Sequence, residues 1–360
     1  SDAVPAHTSA ADDSGGRTDS GKCVDLRSAG KMADGRIWNH SDRSAGDTVC
    51  AKTKTGDESG WGKTKRCAGT KAGADALWYY HVFCLCSAFL PSPGNVFHYS
   101  AGRRPGRFAG GGERPFCDGG SSSASAVGEK RILPYLKQRG IAALDAVVVT
   151  HPDADHTNGI LELLELIGEQ KTALRIRHLF LPVWMKGSEK ENPFILAAQK
   201  AGIMVEYLKK GDEIRAGELT VSVLHPGAGE DYTGEENAGS VVLQLSCGAC
   251  RALLTGDLEG SGEEEVLGAA ERCQILKVAH HGSRNSTSEA FLNRIQPQIS
   301  LISCAWPGRY GHPHRELLER LRACKSHIYG TPVDGAVTVQ LKRDRLAVHG
   351  YRSDVEFPVS

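Results

Sequence analysis

The feature that most constrains this chain is the run Val147-Val148-Val149-Thr150-His151-Pro152-Asp153-Ala154-Asp155-His156. Its first half is apolar and β-branched, the pattern of a strand buried on both faces. Its second half holds His151, Asp153, Asp155 and His156, four potential metal ligands within six residues. Pro152 cannot continue a central strand, so these side chains are expected in the loop that follows it. Imidazole nitrogen and carboxylate oxygen together suit zinc, manganese or iron. Without a cation, a loop so dense in ligands would leave groups repelling or unpaired; the alternative is a polar turn after a buried strand. Thr157-Asn158-Gly159 then leads into Ile160 to Ile167, an apolar segment that reads as a helix.

Three further stretches carry chemistry in the same way. Leu253-Leu254-Thr255-Gly256-Asp257 places a carboxylate at a strand end beside a flexible glycine. The competing role for Asp257 is a helix cap, but Ser261 with Glu264 makes the better capping box for the next helix. Ile275 to Ser283 is an apolar strand ending in His280 and His281, for which the bland alternative is a pair of surface histidines. Leu301 to Ala305 reads as a strand, followed by Gly308-Arg309-Tyr310-Gly311-His312-Pro313-His314 and a helix from about Arg315 to Ala323.

In order, these stretches resemble the metal motifs of the metallo-β-lactamase superfamily. "THPDADHTNG" resembles its first motif, with Asp153 where the second histidine usually stands. This variant is similar to the DNA-internalisation competence proteins of the ComEC type and their free-standing relatives. The resemblance implies that Asp257 is the aspartate bridging two metals and that His280 or His281 is the last ligand of the second. The candidate metal ligands are therefore His151, Asp153, Asp155, His156, Asp257, His280 and His281. The "YGHP" resembles the family's closing motif, where His312 could protonate a leaving oxygen or hold a phosphate. Asn237 and Ser240 match an Asn-x-x-Ser that either donates to an oxyanion or shapes the turn. With Asp155, these three residues are the candidate catalytic residues.

The resemblance covers roughly Asp118 to Val348 and implies an αββα sandwich. It implies two divalent ions, zinc or manganese, sharing a hydroxide that attacks phosphorus, in a nuclease acting on DNA. No histidine matches the superfamily's third motif, so the first metal has only His151, Asp153 and Asp257, and the carboxylate-rich set shifts preference toward manganese. The alternatives are a hydrolase of a small phosphodiester and a metal-poor DNA-binding module without catalysis. In the transporters of this type the domain lies beside a membrane channel for single-stranded DNA. That would place this chain on the extracytoplasmic face of the membrane or outside the cell.

Composition bounds the rest. Lys+Arg and Asp+Glu are each 43, so any nucleic-acid contact must use a local patch rather than an overall basic field. Eleven cysteines is an odd number and cannot all pair. Cys247-Gly248-Ala249-Cys250 reads as a hairpin turn, with or without a disulfide, before it reads as a metal site. The apolar run from Ala76 to Leu90 is too short to span a membrane. Residues 1 to about 75 are rich in Ser, Gly, Asp, Lys and Thr, and 1–95 are expected to be low-complexity, disordered or mistranslated, with the hydrolase domain at 96–360. Residues 101–116 can be encoded by DNA that, read one base later, gives a Gln-Gly-Asp and two strands around a Pro-Gly-Gly turn. That resembles the hairpin which opens competence-type domains, and the in-frame Asp118-Gly119-Gly120-Ser121 resembles its close. A frameshift near Cys117 is the expectation.

Overall fold

The structure is a computed structural model, and it describes residues 21–25, 79–84, 95–96, 115–187, 192–216, 219–305, 310–342, 345–351 and 354–358. In chain order the strands are β1 (Cys23–Asp25), β2 (Tyr79–Cys84), β3 (Asn95–Val96), β4 (Pro115–Cys117), β5 (Ala143–Val148), β6 (Arg175–Pro182) and β7 (Met204–Leu208). They continue as β8 (Glu213–Ala216), β9 (Leu219–His225), β10 (Val242–Cys247), β11 (Cys250–Leu254), β12 (Ile275–Lys277), β13 (Ile299–Ile302) and β14 (His327–Gly330). The last are β15 (Val337–Lys342), β16 (Arg345–Gly350) and β17 (Asp354–Pro358). The helices are α1 (Leu133–Gln138), α2 (Ala154–Gly168), α3 (Pro193–Lys200), α4 (Ser261–Leu267), α5 (Glu289–Ile295), α6 (Arg315–Ala323) and α7 (Thr331–Asp334).

Two sheets carry the ligands. One has the order β3-β4-β5-β6-β7 and is parallel from β4 to β7. Parallel neighbours need long crossovers, and α1, α2 and α3 supply them. The other has the order β1-β8-β9-β10-β11-β12-β13-β14. It is antiparallel from β8 to β11 and parallel from β11 to β14, where α4, α5 and α6 make the crossovers. A third, antiparallel sheet has the order β17-β16-β15-β2.

Strand periodicity sorts the side chains into three cores. Along β10 and β11, Leu243, Leu245, Ala252 and Leu254 face one core, which also holds Ala146, Val148 and Phe180 of the opposite sheet. Val242 and Leu253 point the other way, into a core with Val266 of α4, Phe291 of α5 and Leu317 of α6. On the far side, Val147, Leu179 and Leu181 pack on Leu136, Ile160, Leu163 and Phe194 of the helices. A core between the sheets and one under each helical layer make the expected αββα sandwich. Both faces of the central strands are buried, which is why they read as apolar runs rather than alternations.

Several local expectations change. The ligand loop is short: α2 begins at Ala154, so Asp155 and His156 stand in its first turn. Asp153 takes the N-cap position, and Thr157 Oγ1 donates to the carbonyls of Pro152 and Asp153, so nothing delays the helix. Ser261 is the first residue of α4, not its cap; Gly260 caps it without a side-chain bond. The hairpin turn at Gly248-Ala249 forms, and no disulfide joins Cys247 to Cys250. The expectation for residues 1 to about 75 lies outside the described residues except at 21–25, where β1 pairs with β8. Of the stretch expected to be out of frame, β2 pairs with β15 and β3 with β4. Gly308 and Arg309 lie outside the described residues. Among the described residues, no helix is long and apolar enough to cross a membrane.

Candidate metal centre

The site forms where the ligand-bearing ends of β5, β11 and β12 meet. A close approach of two loops builds its floor. The backbone N–H of Gly119 donates to the His156 carbonyl, and Asn158 is clasped by both backbone groups of Ser121. A Cβ on Gly120 would meet the Ala154 carbonyl oxygen at 2.5 Å, and one on Gly159 the Gly119 oxygen at 2.5 Å. Only glycine permits this contact, and it brings buried Asp118 against His156.

Asp118 is the organiser that the sequence left unassigned. Its Oδ1 accepts from the Thr150 N–H at 2.9 Å, and its Oδ2 from Thr150 Oγ1 at 2.8 Å and His156 Nδ1 at 2.9 Å. Since Thr150 Oγ1 spends its hydrogen on Asp118, it accepts from His151 Nδ1 at 3.0 Å. On the other sheet, His281 Nδ1 donates to the Ser303 carbonyl at 2.8 Å and His280 Nδ1 to Glu259 Oε2 at 2.8 Å. Each Nδ1 is thereby committed, and each Nε2 is turned inward. The four Nε2 atoms surround the buried Asp257 carboxylate: His156 at 3.0 Å, His281 at 3.3 Å, His280 at 3.9 Å and His151 at 4.0 Å.

Within this centre, two groups have ligand atoms within 4.8 Å of one another: His151, His156 and Asp257, and Asp155, His156 and His281. His281, not His280, therefore joins the Asp155 and His156 set, with its Nε2 3.4 Å from Asp155 Oδ2. Asp153, its side chain half exposed, reaches to 3.7 Å from His151 Nε2. Ser240 is fully buried, and its Oγ accepts from the Asp257 backbone N–H at 3.2 Å. Asn237 Nδ2 donates to Glu259 at 3.4 Å. His312 stands at the mouth, its ring 5.4 Å from that of His280 and 6.4 Å from that of His281. His314 is the N-cap of α6 and accepts from the Arg284 N–H. Glu259, two residues after Asp257, is the other support that sequence reasoning passed over; the carbonyl of Ser303 leaves no side-chain signal to read.

The charges are unbalanced in a way a cation would correct. Burial disfavours the charge on Asp257, yet His156 and His281 hold its carboxyl well below the usual range. Burial also opposes charge on the two histidines, but Asp257 and Asp118 lift His156 well above its ordinary value, and Asp257 and Asp155 lift His281 to about 9. Asp155, despite burial, is drawn down to about 2 by its bond to His281 and the charge of His156. His151 is pushed down to about 4 by burial and then by His156. His312 falls to about 4 through burial and then the neighbouring His280 and His281. Buried His151 Nε2 has no hydrogen-bond partner. A neutral imidazole with an orphaned, inward lone pair beside an ionised carboxylate is a metal ligand's state. The donor set thus fits divalent metal.

The profile of the metallo-beta-lactamase superfamily matches residues 118–306, more than half of the chain. The chain belongs to that superfamily. Divalent-metal binding and hydrolase chemistry are what the family brings to these residues. Among curated proteins, the chain is 33% identical to ComE operon protein 3 of Bacillus subtilis over 222 residues, covering 60% of this chain and 27% of that one. It is 29% identical to Recombination protein 2 of Haemophilus influenzae over 235 residues, covering 65% and 27%. The chain thus spans about a quarter of the length of these relatives. Among solved structures it is similar to the metallo-beta-lactamase fold protein YhfI from Bacillus subtilis, at 13% identity, 73% and 100% coverage and a TM-score of 0.46.

Proposed function

We propose that this superfamily member is a metal-dependent phosphodiesterase whose substrate is DNA. The observation that carries the hydrolase part is the convergence of four Nε2 atoms on one buried carboxylate, each with its Nδ1 already bound. The DNA part is supported by the likeness of the first motif to the competence proteins and by a relative named for recombination. Under the same reading the partner is a membrane channel for single-stranded DNA, and the chain works on the extracytoplasmic face; the form of the first motif supports this. His151, Asp153 and Asp257 would hold one ion, and Asp155, His156, His281 and Asp257 the other. Ions there would acidify a bound water and neutralise charge on phosphoryl oxygens. The share of carboxylates favours manganese over zinc.

The remaining groups have separate tasks. Asp118 and Thr150 fix the tautomers of His156 and His151. Ser240 fixes the Asp257 backbone. Burial opposes charge on His280, but its bond to Glu259 and the charge of Asp257 lift it above its ordinary value, and its ring would face an anionic oxygen. His312 is neutral at pH 7 and offers an N–H; an anionic phosphate beside it would raise its affinity for a proton and let it serve the leaving oxygen.

The test is hydrolysis of plasmid DNA and of a nitrophenyl phosphodiester by the full chain, with manganese or zinc, with chelator, and as Asp257→Ala. Expected is metal-dependent nicking that chelator and Asp257→Ala both reduce to background. Chelator-insensitive nicking would remove the metal from the reading. Turnover of the small diester with intact plasmid would make the substrate a small phosphodiester.

A further inference from the structure

Away from this centre, His225, Glu230 and Glu265 bring ligand atoms within 4.8 Å of one another. His225 ends β9 and is 1% exposed. Its Nδ1 donates to the Ser240 carbonyl at 2.9 Å, so in the neutral ring Nε2 carries a lone pair. That lone pair faces Tyr232 Oη at 3.0 Å and Glu265 Oε2 at 3.2 Å. Tyr232 Oη in turn lies 2.6 Å from Glu230 Oε2 and 2.8 Å from Glu265 Oε2. One phenolic hydrogen thus stands among three acceptors, and the Gly227 backbone N–H adds a second hydrogen at Glu230 Oε2, 3.1 Å away. Among the described residues, no lysine or arginine pairs with either glutamate. Acceptors that outnumber the hydrogens among them leave charge and lone pairs facing each other, an arrangement that a positive partner would relieve. The way in is open, because Glu230 also lines a cavity of about 680 Å³ with Trp184, Lys186 and Asp231.

We propose that His225 Nε2, Glu230, Glu265 and Tyr232 Oη form a further divalent-cation site, separate from the hydrolytic centre. One imidazole, two carboxylates and a phenol oxygen are a nitrogen and oxygen set suited to zinc or manganese. The ion would replace the missing positive charge and fasten two elements: the segment between β9 and β10, which carries Glu230 and Tyr232, and α4, which carries Glu265. Behind them lies Asp257. Ser240 receives His225 on its carbonyl and gives its Oγ to the Asp257 N–H, so the cation would brace the residue on which the centre converges. The inference does not depend on the hydrolase reading.

Counting ions tests it. The full chain is stripped with chelator, re-equilibrated separately with zinc and with manganese, desalted, and its metal measured per chain. Glu230→Gln/Glu265→Gln keeps size and hydrogen-bonding capacity at two exposed positions. Expected is one equivalent fewer in this variant than in wild type, for at least one of the two metals. Asp257→Ala should keep that equivalent while losing those of the centre, so the two sites are told apart whatever the centre holds. Equal metal in wild type and double variant, for both ions, would overturn the proposal and leave a carboxyl pair sharing a proton. Should the double variant fail to fold, Glu265→Gln alone decides: the extra equivalent should bind about tenfold more weakly or worse, and unchanged binding overturns the site.

Discussion

On the edge of the five-stranded sheet, Asp155 and His156 ride the first turn of α2, in ordinary helical backbone. On the edge of the eight-stranded sheet, His280 and His281 occupy left-handed backbone, with φ of 44° and 52°. The first pair is positioned by regular hydrogen bonding and by glycines that let Asp118 close in. The second is held in conformations that cost roughly 1–3 kcal/mol each for residues with side chains. The surroundings hold them there: Ser283 N–H donates to the His280 carbonyl, and His314 N–H to that of Gly282. A Cβ on Gly282 would strike Pro313 at 2.7 Å. The lesson is that the strain aims two adjacent imidazoles at different targets. His281 Nε2 comes to 3.4 Å from Asp155 and 3.3 Å from Asp257, while His280 gives its Nδ1 to Glu259 and leaves its Nε2 farther off, 3.9 Å from Asp257.

The largest expected effect comes from separating these neighbours. His281→Ala should lose metal from the Asp155 and His156 set and bring turnover to background. His280→Ala should keep its metal and lose turnover by roughly a hundredfold, the scale of one positioned acid or donor. Metal content per chain and turnover on one substrate decide it. If both variants lose the same ion, the two histidines are not divided as described, and the strained turn serves only to crowd ligands together.

Supporting carboxylates give the next effect. Asp118→Asn keeps its shape but weakens the acceptor for His156 Nδ1 and Thr150, and should lower metal affinity by about 10–100-fold. Glu259→Gln should leave metal affinity near wild type and reduce turnover, because Glu259 holds His280 rather than a residue of either ligand group. Zinc or manganese titrations of both variants check this. Equal losses of affinity would place His280 among the ligands.

The comparison also explains what could be read from sequence. The αββα sandwich was legible because strands buried on both faces appear as apolar runs, and because ligands gathered at their ends, as at Val147 to His156. Choosing between His280 and His281 was not legible, since the choice depends on two backbone angles and on the Ser303 carbonyl 22 residues away. Asp118 carried a signal, the "DGGS" that packs on "HTNG", but its role needed a contact 38 residues apart in the chain. Asn237 and Ser240 were visible as a pair, yet only the fold shows that Ser240 is buried beneath Asp257. The start of α2 is not legible, because a proline after a strand signals a loop equally whether the loop is long or, as here, the proline stands directly before the N-cap Asp153.

The smallest effect, and the one that treats both edges together, is on stability of the metal-free chain against pH. His151 on one edge and His312 at the mouth are lowered to about 4 from an ordinary 6.5, so folding favours their neutral forms. Their contribution is present above 6.5 and is lost as pH falls from 6.5 toward 4. His281 on the other edge is raised to about 9, so folding favours its protonated form. Its contribution is present below 6.5 and is lost as pH rises from 6.5 through about 9. His156, raised by Asp257 and Asp118, acts in the same direction as His281. The metal-free chain should therefore be most stable near pH 6.5 and weaken on both sides. Metal binding takes the place of the protons on His156 and His281. The loaded chain should accordingly lose the decline between 6.5 and 9 and keep the one toward acid, where protons compete with metal. Denaturant melts from pH 4 to 9, with chelator and with manganese, measure both limbs. An alkaline limb of equal depth with and without metal would mean that His281 is not a ligand, and that the strained edge carries its charge for the fold alone.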